Sequence, residues 1–232
     1  MELTAPAAAA APALTAAANW INTTFSGFDQ SVATAVHKLY GLAGGFFNPF
    51  FVFVSYLGKG GIFLIVLSLA LLLYRPTRRF GTAMCIGLAI GALAANVLIK
   101  PTVARPRPYM DEASIFHQYW MLVGQTVERD VNSFPSGHTT AAFDSMVPVF
   151  LLAKNKKSWL KIVAVCFAVL MGIARIYLCV HFASDVLGGM IIGILAGIIA
   201  VLIGQRIPKK WYRWELGKKA LPAQAAGKHE IK

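Results

Sequence analysis

Five long apolar segments joined by short polar loops leave this chain few ways to fold. They run from about Phe47 to Tyr74, Phe80 to Ile99, His138 to Ala153, Trp159 to Val180 and Val186 to Ile207. Each holds roughly 16 to 28 residues, and a bilayer core takes about 20 apolar residues in helical form. Lipid-exposed backbone must satisfy its polar groups within its own segment, so helices are the default. Charged residues are 14% of the 232 and hydrophobic ones 57%, whereas a soluble domain carries about 25% charged. The expected fold is all-α: a polytopic membrane helical bundle with about five transmembrane helices plus an N-terminal interfacial helix. Gly58, Gly60 and Gly61 predict a break or kink inside the first segment.

The flanks are different in kind. Residues 1–16 are Ala/Pro-rich and uncharged after Glu2. Without a basic start or a long Leu-type run they do not read as a secretory signal, and we expect a disordered N-terminus. In residues 17–42, Trp20, Ile21, Phe25, Phe28, Val32 and Val36 recur at helical spacing, which predicts the amphipathic interfacial helix. Residues 43–207 then form the transmembrane domain, and residues 208–232 a basic cytoplasmic tail.

The net charge of +12 does not point to nucleic acid. The cations lie in short loops between apolar spans, where they orient a membrane protein, and no nucleic-acid motif accompanies them. Cys85, Cys166 and Cys179 all sit in apolar segments, with neither zinc spacing nor a disulfide pattern. They read as small packing residues. One set of loops holds Arg75, Arg78 and Arg79, then Lys154, Lys156 and Lys157, then Arg206, Lys209, Lys210 and Arg213. The opposite loop, 100–137, offsets Lys100, Arg105, Arg107 and Arg129 with Asp111, Glu112, Glu128 and Asp130. The positive-inside rule places the first set in the cytoplasm. The 100–137 loop is then external, and so are the segment ends that carry Lys100, His138, Arg175 and Asp185.

These ends hold the chemistry. His181 and Asp185 are four apart, which on a helix brings them to nearly one face. The carboxylate could then fix the imidazole tautomer and leave the other nitrogen as a nucleophile. An ion pair or an N-terminal cap is the bland alternative. In SFPSGH, Pro135 restricts the turn, Gly137 admits close approach to a ligand, and His138 opens a helix whose free amides suit phosphate oxygens. Ser136 adds a hydroxyl. In KPTVARPRP the prolines force the chain out of the helix. Arg107 could grip a phosphoryl group in bidentate fashion and Lys100 could add a point charge, with Arg105 the rival for either role. Arg175 lies within an apolar span, where a guanidinium is costly unless paired, with a phosphate or with an acid. Asp144 lies inside the third segment with no assignable role.

Together these segments resemble the type-2 phosphatidic acid phosphatase family, which includes bacterial prenyl-diphosphate phosphatases and vanadium haloperoxidases. The family signature is K-x6-R-P, then P-S-G-H, then S-R-x5-H-x3-D. The chain reads Lys100-x6-Arg107-Pro108, Pro135-Ser136-Gly137-His138 and Ala174-Arg175-x5-His181-x3-Asp185. The resemblance covers roughly residues 47–205 and departs at one position, where Ala174 replaces the family serine. It implies that His181 attacks phosphorus, that Asp185 orients it, and that His138 protonates the leaving oxygen and then activates water. Lys100, Arg107, Arg175, Ser136 and the Gly137 amide are implied to hold the equatorial oxygens. No metal or other cofactor is implied, and no carboxylate cluster suited to magnesium appears in the sequence.

The expected partner is a membrane lipid phosphate within the bilayer, with no nucleic acid, and the expected location is a bacterial plasma membrane with the site outside. Undecaprenyl diphosphate is the favoured substrate. Phosphatidic acid or phosphatidylglycerophosphate is the second choice, and a phosphotransferase acceptor a third. A non-catalytic lipid-binding or transport protein is the alternative of another class, but both catalytic histidines are present.

Overall fold

The computed structural model describes residues 14–128 and 130–213. The stretch before residue 14, Arg129 and the chain after residue 213 lie outside them, which takes in most of the expected N-terminal tail and basic tail. Helix α1 (Ala16–Ala43) starts where the Thr15 hydroxyl accepts from the Ala18 N–H, and stops at Gly44 in a left-handed conformation (φ 55°). It covers the amphipathic stretch, but its packed face is partly polar. Ala18, Ile21, Asp29, Ala33 and His37 are buried, while Trp20 and Phe28 stay exposed. Asp29 and His37 turn inward because the bundle offers them partners. Asp29 accepts from the Ser184 N–H at 2.7 Å, and the His37 ring lies 2.8 Å from the Tyr177 carbonyl.

Helices α2 (Asn48–Leu57) and α3 (Ile62–Leu73) meet at 41°. Between them Lys59–Gly61 forms a 3-10 turn with Gly60 at φ 60° and Gly61 at φ 67°. The expected break is there, and the two left-handed glycines make it. Helix α4 (Arg78–Ala92) continues through a π-helical stretch, Leu93–Ile99, into the short α5 (Lys100–Val103). Ala104 (φ 48°) ends the run. Helix α6 (Ile115–Leu122) lies in the following loop, and α7 (Gly137–Leu152), α8 (Trp159–Tyr177), α9 (Ala183–Arg206) and α10 (Lys209–Arg213) complete the order.

The protein is a helical membrane bundle. Arg75–Val103, Asn155–Tyr177 and Ala183–Arg206 are each long and apolar enough to cross a bilayer, and the bent α2–α3 pair makes a fourth span if taken as one. The third expected segment, now α7, has 16 residues. It rises about 24 Å, short of the roughly 30 Å hydrocarbon core. It stands in the middle instead, against α4, α8 and α9. Small residues let its neighbours close on it. A Cβ at Gly193 of α9 would lie 2.6 Å from Phe143 Cβ, and one at Gly87 of α4 would lie 2.3 Å from the Asp144 carbonyl. Surrounded in this way, α7 presents its N-terminus inside the bundle.

Candidate active site

Three chain segments converge at the N-terminal end of α7. Ser136 caps that helix: its Oγ accepts from the Thr139 N–H and hydroxyl. The hydroxyl expected to touch phosphate thus accepts at the helix end, and Ser136 does not line the cavity beside it. Gly137 and His138 do line it. Gly137 is required for space, since a Cβ there would lie 2.7 Å from Asn96 Oδ1. The His138 ring packs on Gly58, where a Cβ would come within 2.7 Å of its Cδ2.

His181 is not on a helix. Helix α8 ends at Tyr177, α9 begins at Ala183, and Phe182 between them is extended (φ −70°, ψ 157°). The expected one-turn helical pairing with Asp185 is thus replaced by a loop residue facing the third residue of α9. His181 Nδ1 lies 3.5 Å from Asp185 Oδ2, within ion-pair range but without a hydrogen bond. Asp185 is itself anchored: Oδ2 accepts from the Phe182 N–H at 2.8 Å and Oδ1 from Arg105 Nη1 at 2.6 Å.

The rivalry between the two arginines is resolved by their partners. Arg105 turns away from the cavity and is 1% exposed. Its guanidinium reaches Asn22 Oδ1, Ser184 Oγ, Asp185 and Asp29, and lies over the Phe182 ring at 3.8 Å. It clamps α1 and the start of α9 behind the site. Arg107 faces the cavity. It donates to the Asp130 carbonyl at 2.6 Å and the Val180 carbonyl at 2.8 Å, and its Nη1 lies 3.2 Å from His181 Nε2.

Burial pushes the His181 imidazole well below its ordinary pKa, and the nearby charges of Arg107, Arg175 and Lys100 push in the same direction. The ring is neutral at pH 7. A guanidinium only donates, so the nitrogen facing Arg107, Nε2, carries the lone pair. The proton then sits on Nδ1, towards Asp185. This is the tautomer a histidine nucleophile needs.

The other cations meet acids that the sequence reading did not assign to the site. Lys100 Nζ lies 3.1 Å from Asp130 Oδ2. Arg175 is fully buried and bonds Ser55 Oγ and the Glu128 carboxylate. Burial alone would raise the Asp130 carboxyl, but the Asn132 N–H and the charges of Lys100 and Arg107 outweigh it and hold it below the usual range. Two carboxylates thus rest on cations expected to hold phosphate, and Arg175 sits one layer behind the wall. Ala174, beside it in α8, is fully buried and brings no hydroxyl.

The cavity itself is about 850 Å³. His138, His181, Lys100 and Arg107 share it with Glu128, Asp130, Asn96 and Lys59, and with apolar side chains of α2, α3 and α4 such as Val52, Ile65 and Leu88. Asp144 also lines it, with neither carboxylate oxygen hydrogen-bonded to the protein. Asn96, Lys59 and the two acids were missed because no periodicity marks them. The lysine between glycines in GKGG was the one available signal.

Comparisons with known proteins bear on the family. Residues 80–209 match the model of the PAP2 superfamily. Over 163 residues the chain is 29% identical to an undecaprenyl-diphosphatase of Sulfolobus acidocaldarius, covering 70% of this chain and 73% of that one. Over 153 residues it is 33% identical to phosphatidylglycerophosphatase B of Bacillus subtilis, covering 61% and 68% respectively. The crystal structure of a transmembrane PAP2-type phosphatidylglycerolphosphate phosphatase from Bacillus subtilis superposes with a TM-score of 0.62 at 28% identity, over 83% of this chain and 92% of that one. With motifs, fold and matched region in accord, the chain belongs to the PAP2 superfamily.

Proposed function

We propose that this chain is a membrane lipid phosphatase that hydrolyses undecaprenyl diphosphate to undecaprenyl phosphate and inorganic phosphate, without a metal, through a phosphohistidine. The observation that carries the reading is His181 Nε2 at the wall of the cavity, 3.2 Å from Arg107 Nη1, with Lys100 and His138 on the same wall. Nε2 attacks the terminal phosphorus as the P–O bond to the leaving group breaks, and His138, as the imidazolium, gives that oxygen a proton and is left neutral. His138 then takes a proton from water, whose oxygen attacks phosphorus and breaks the P–N bond. Lys100 and Arg107 neutralise the equatorial oxygens, the main catalytic contribution expected in phosphoryl transfer. Arg175 joins them once Glu128 moves aside.

The apolar part of the cavity wall suits the first carbons of a lipid, and the names of two relatives support lipid phosphate substrates. The loop charges favour an external site in a bacterial plasma membrane, with residues 17–42 at the interface. Hydrolysis of phosphatidic acid or phosphatidylglycerophosphate is the second reading, favoured by the Bacillus subtilis relative and structure.

Phosphate release by purified protein in detergent with EDTA tests the chemistry. Activity on undecaprenyl diphosphate is expected, and a requirement for added magnesium, or full turnover by His181→Ala, would overturn it. Competition among the three lipids decides the substrate. A cysteine at Gly124 should react with an impermeant thiol reagent in intact cells. Labelling only after permeabilisation would invert the orientation.

A further inference from the structure

Lys59 is a cavity cation that none of the three motifs supplies. It lies in the turn between α2 and α3, inside what is otherwise an apolar run. The left-handed glycines 60 and 61 account for the bend, and a bend needs no lysine. Its side chain is exposed, yet a charged residue within an apolar span marks a functional site by default. Among the described residues Lys59 has no acidic partner. Its ammonium lies over the Tyr56 ring, 5.8 Å from Nζ to the centroid. The turn is pressed against the proton donor, because a Cβ at the preceding residue, Gly58, would lie 2.7 Å from His138 Cδ2. Lys59 and His138 line the same cavity.

We infer that Lys59 binds the leaving phosphate of a lipid diphosphate, and so sets a preference for diphosphates over phosphomonoesters. This rests on the phosphatase reading above and deepens it. In an in-line displacement the leaving oxygen stands opposite His181 and receives the His138 proton. In a diphosphate that oxygen bridges to a second phosphorus. As the bond between the terminal phosphorus and the bridging oxygen breaks, its electron pair stays with the oxygen, and negative charge builds on the lipid phosphate on the His138 side. Lys59 sits on the turn that packs against His138, while Lys100 and Arg107 serve the phosphoryl group being transferred. In a monoester the same place holds the carbons of an alcohol, and an ammonium there has no charge to neutralise.

The test uses the full-length protein in detergent with EDTA, and a substrate pair with one apolar chain: farnesyl diphosphate and farnesyl monophosphate. Removing the cation in Lys59→Met should lower the ratio of kcat/KM for the diphosphate to that for the monophosphate by about tenfold or more. Lys59→Arg, which keeps the charge, should restore the ratio to within about threefold. A loss shared equally by both substrates, or no change in either, would overturn the inference and leave the phosphatase reading intact. Wild-type protein that releases phosphate from neither lipid, nor from undecaprenyl diphosphate or phosphatidic acid, would instead overturn the parent reading and this inference with it.

Discussion

Arg107 Nη1 stands 3.2 Å from His181 Nε2, and this one contact links charge, tautomer and nucleophile. The guanidinium is held from both sides by the Asp130 and Val180 carbonyls, so it cannot follow its own preference for solvent. In the proposed mechanism it presents donors to the phosphoryl oxygens, and its Nη1 meets the imidazole lone pair of His181 beside them. Arg107→Lys keeps a charge but loses the fork. We expect kcat/KM to fall about 10²-fold, measured as phosphate release from the preferred lipid.

The pH dependence follows from the same environment. Burial first, and then the charge of Arg107, hold His181 far below its ordinary imidazole pKa. A group with a depressed pKa stays neutral as pH falls through about 6.5 and becomes protonated only well below that. The acid limb of kcat/KM, which requires an unprotonated nucleophile, is therefore expected well under pH 6.5. Arg107→Gln should move that limb upward while lowering the plateau. A limb that stays in place would show that Arg107 does not act on His181 through charge.

Arg105 is a positioning residue. It does not line the cavity, yet it donates to Asp185 at 2.6 Å and to Asp29 at 2.9 Å. Arg105→Gln leaves buried carboxylates short of a partner, a change that costs about 3–5 kcal/mol when a buried pair is broken. We expect a lower Tm together with a fall in kcat of about tenfold or more at nearly constant KM, because His181 loses its oriented acid while substrate contacts remain. A KM effect alone would place Arg105 in substrate binding instead.

If Arg175 holds phosphate as proposed, Glu128 must compete with substrate for it. Its carboxylate occupies the guanidinium, and its removal in Glu128→Gln should free that cation for a phosphate oxygen. The inhibition constant of inorganic phosphate is expected to fall about tenfold, on the scale of one charge-assisted hydrogen bond. An unchanged or higher constant would mean that the carboxylate holds Arg175 in place rather than screening it.

Gly58→Ala tests the contact between the α2–α3 turn and the proton donor. The added Cβ would meet His138 Cδ2 at 2.7 Å and Met171 Sδ at 2.9 Å. Both side chains must shift, and overpacking of this kind costs about 1–3 kcal/mol. We expect kcat to fall about tenfold or more with a smaller change in Tm, since a displacement near 1 Å at a reacting group is felt more strongly in rate than in stability.

Along the chain, the apolar segments determined an all-α membrane bundle, and the three motifs supplied Lys100, Arg107, Gly137, His138 and His181 of the cavity wall. Period and spacing are local, and helices of fixed rise carry them directly into space. The glycines at 58, 60 and 61 announced the break between α2 and α3 for the same reason: backbone freedom is a property of the residue itself. What the sequence left open was settled by partners distant in the chain. Arg105 and Arg107 look alike in KPTVARPRP. One finds Asp29 and Asp185, the other Val180, Asp130 and His181. Only packing brings those groups together, so only the tertiary structure separates the two roles. It also moved His181 off the helix, set the Ser136 hydroxyl at the start of α7, placed Glu128 and Asp130 on the cations, and set Lys59 on the cavity wall. Each of these depends on where a second, remote segment ends up, and that is decided by how the helices close around α7 rather than by any pattern within one of them.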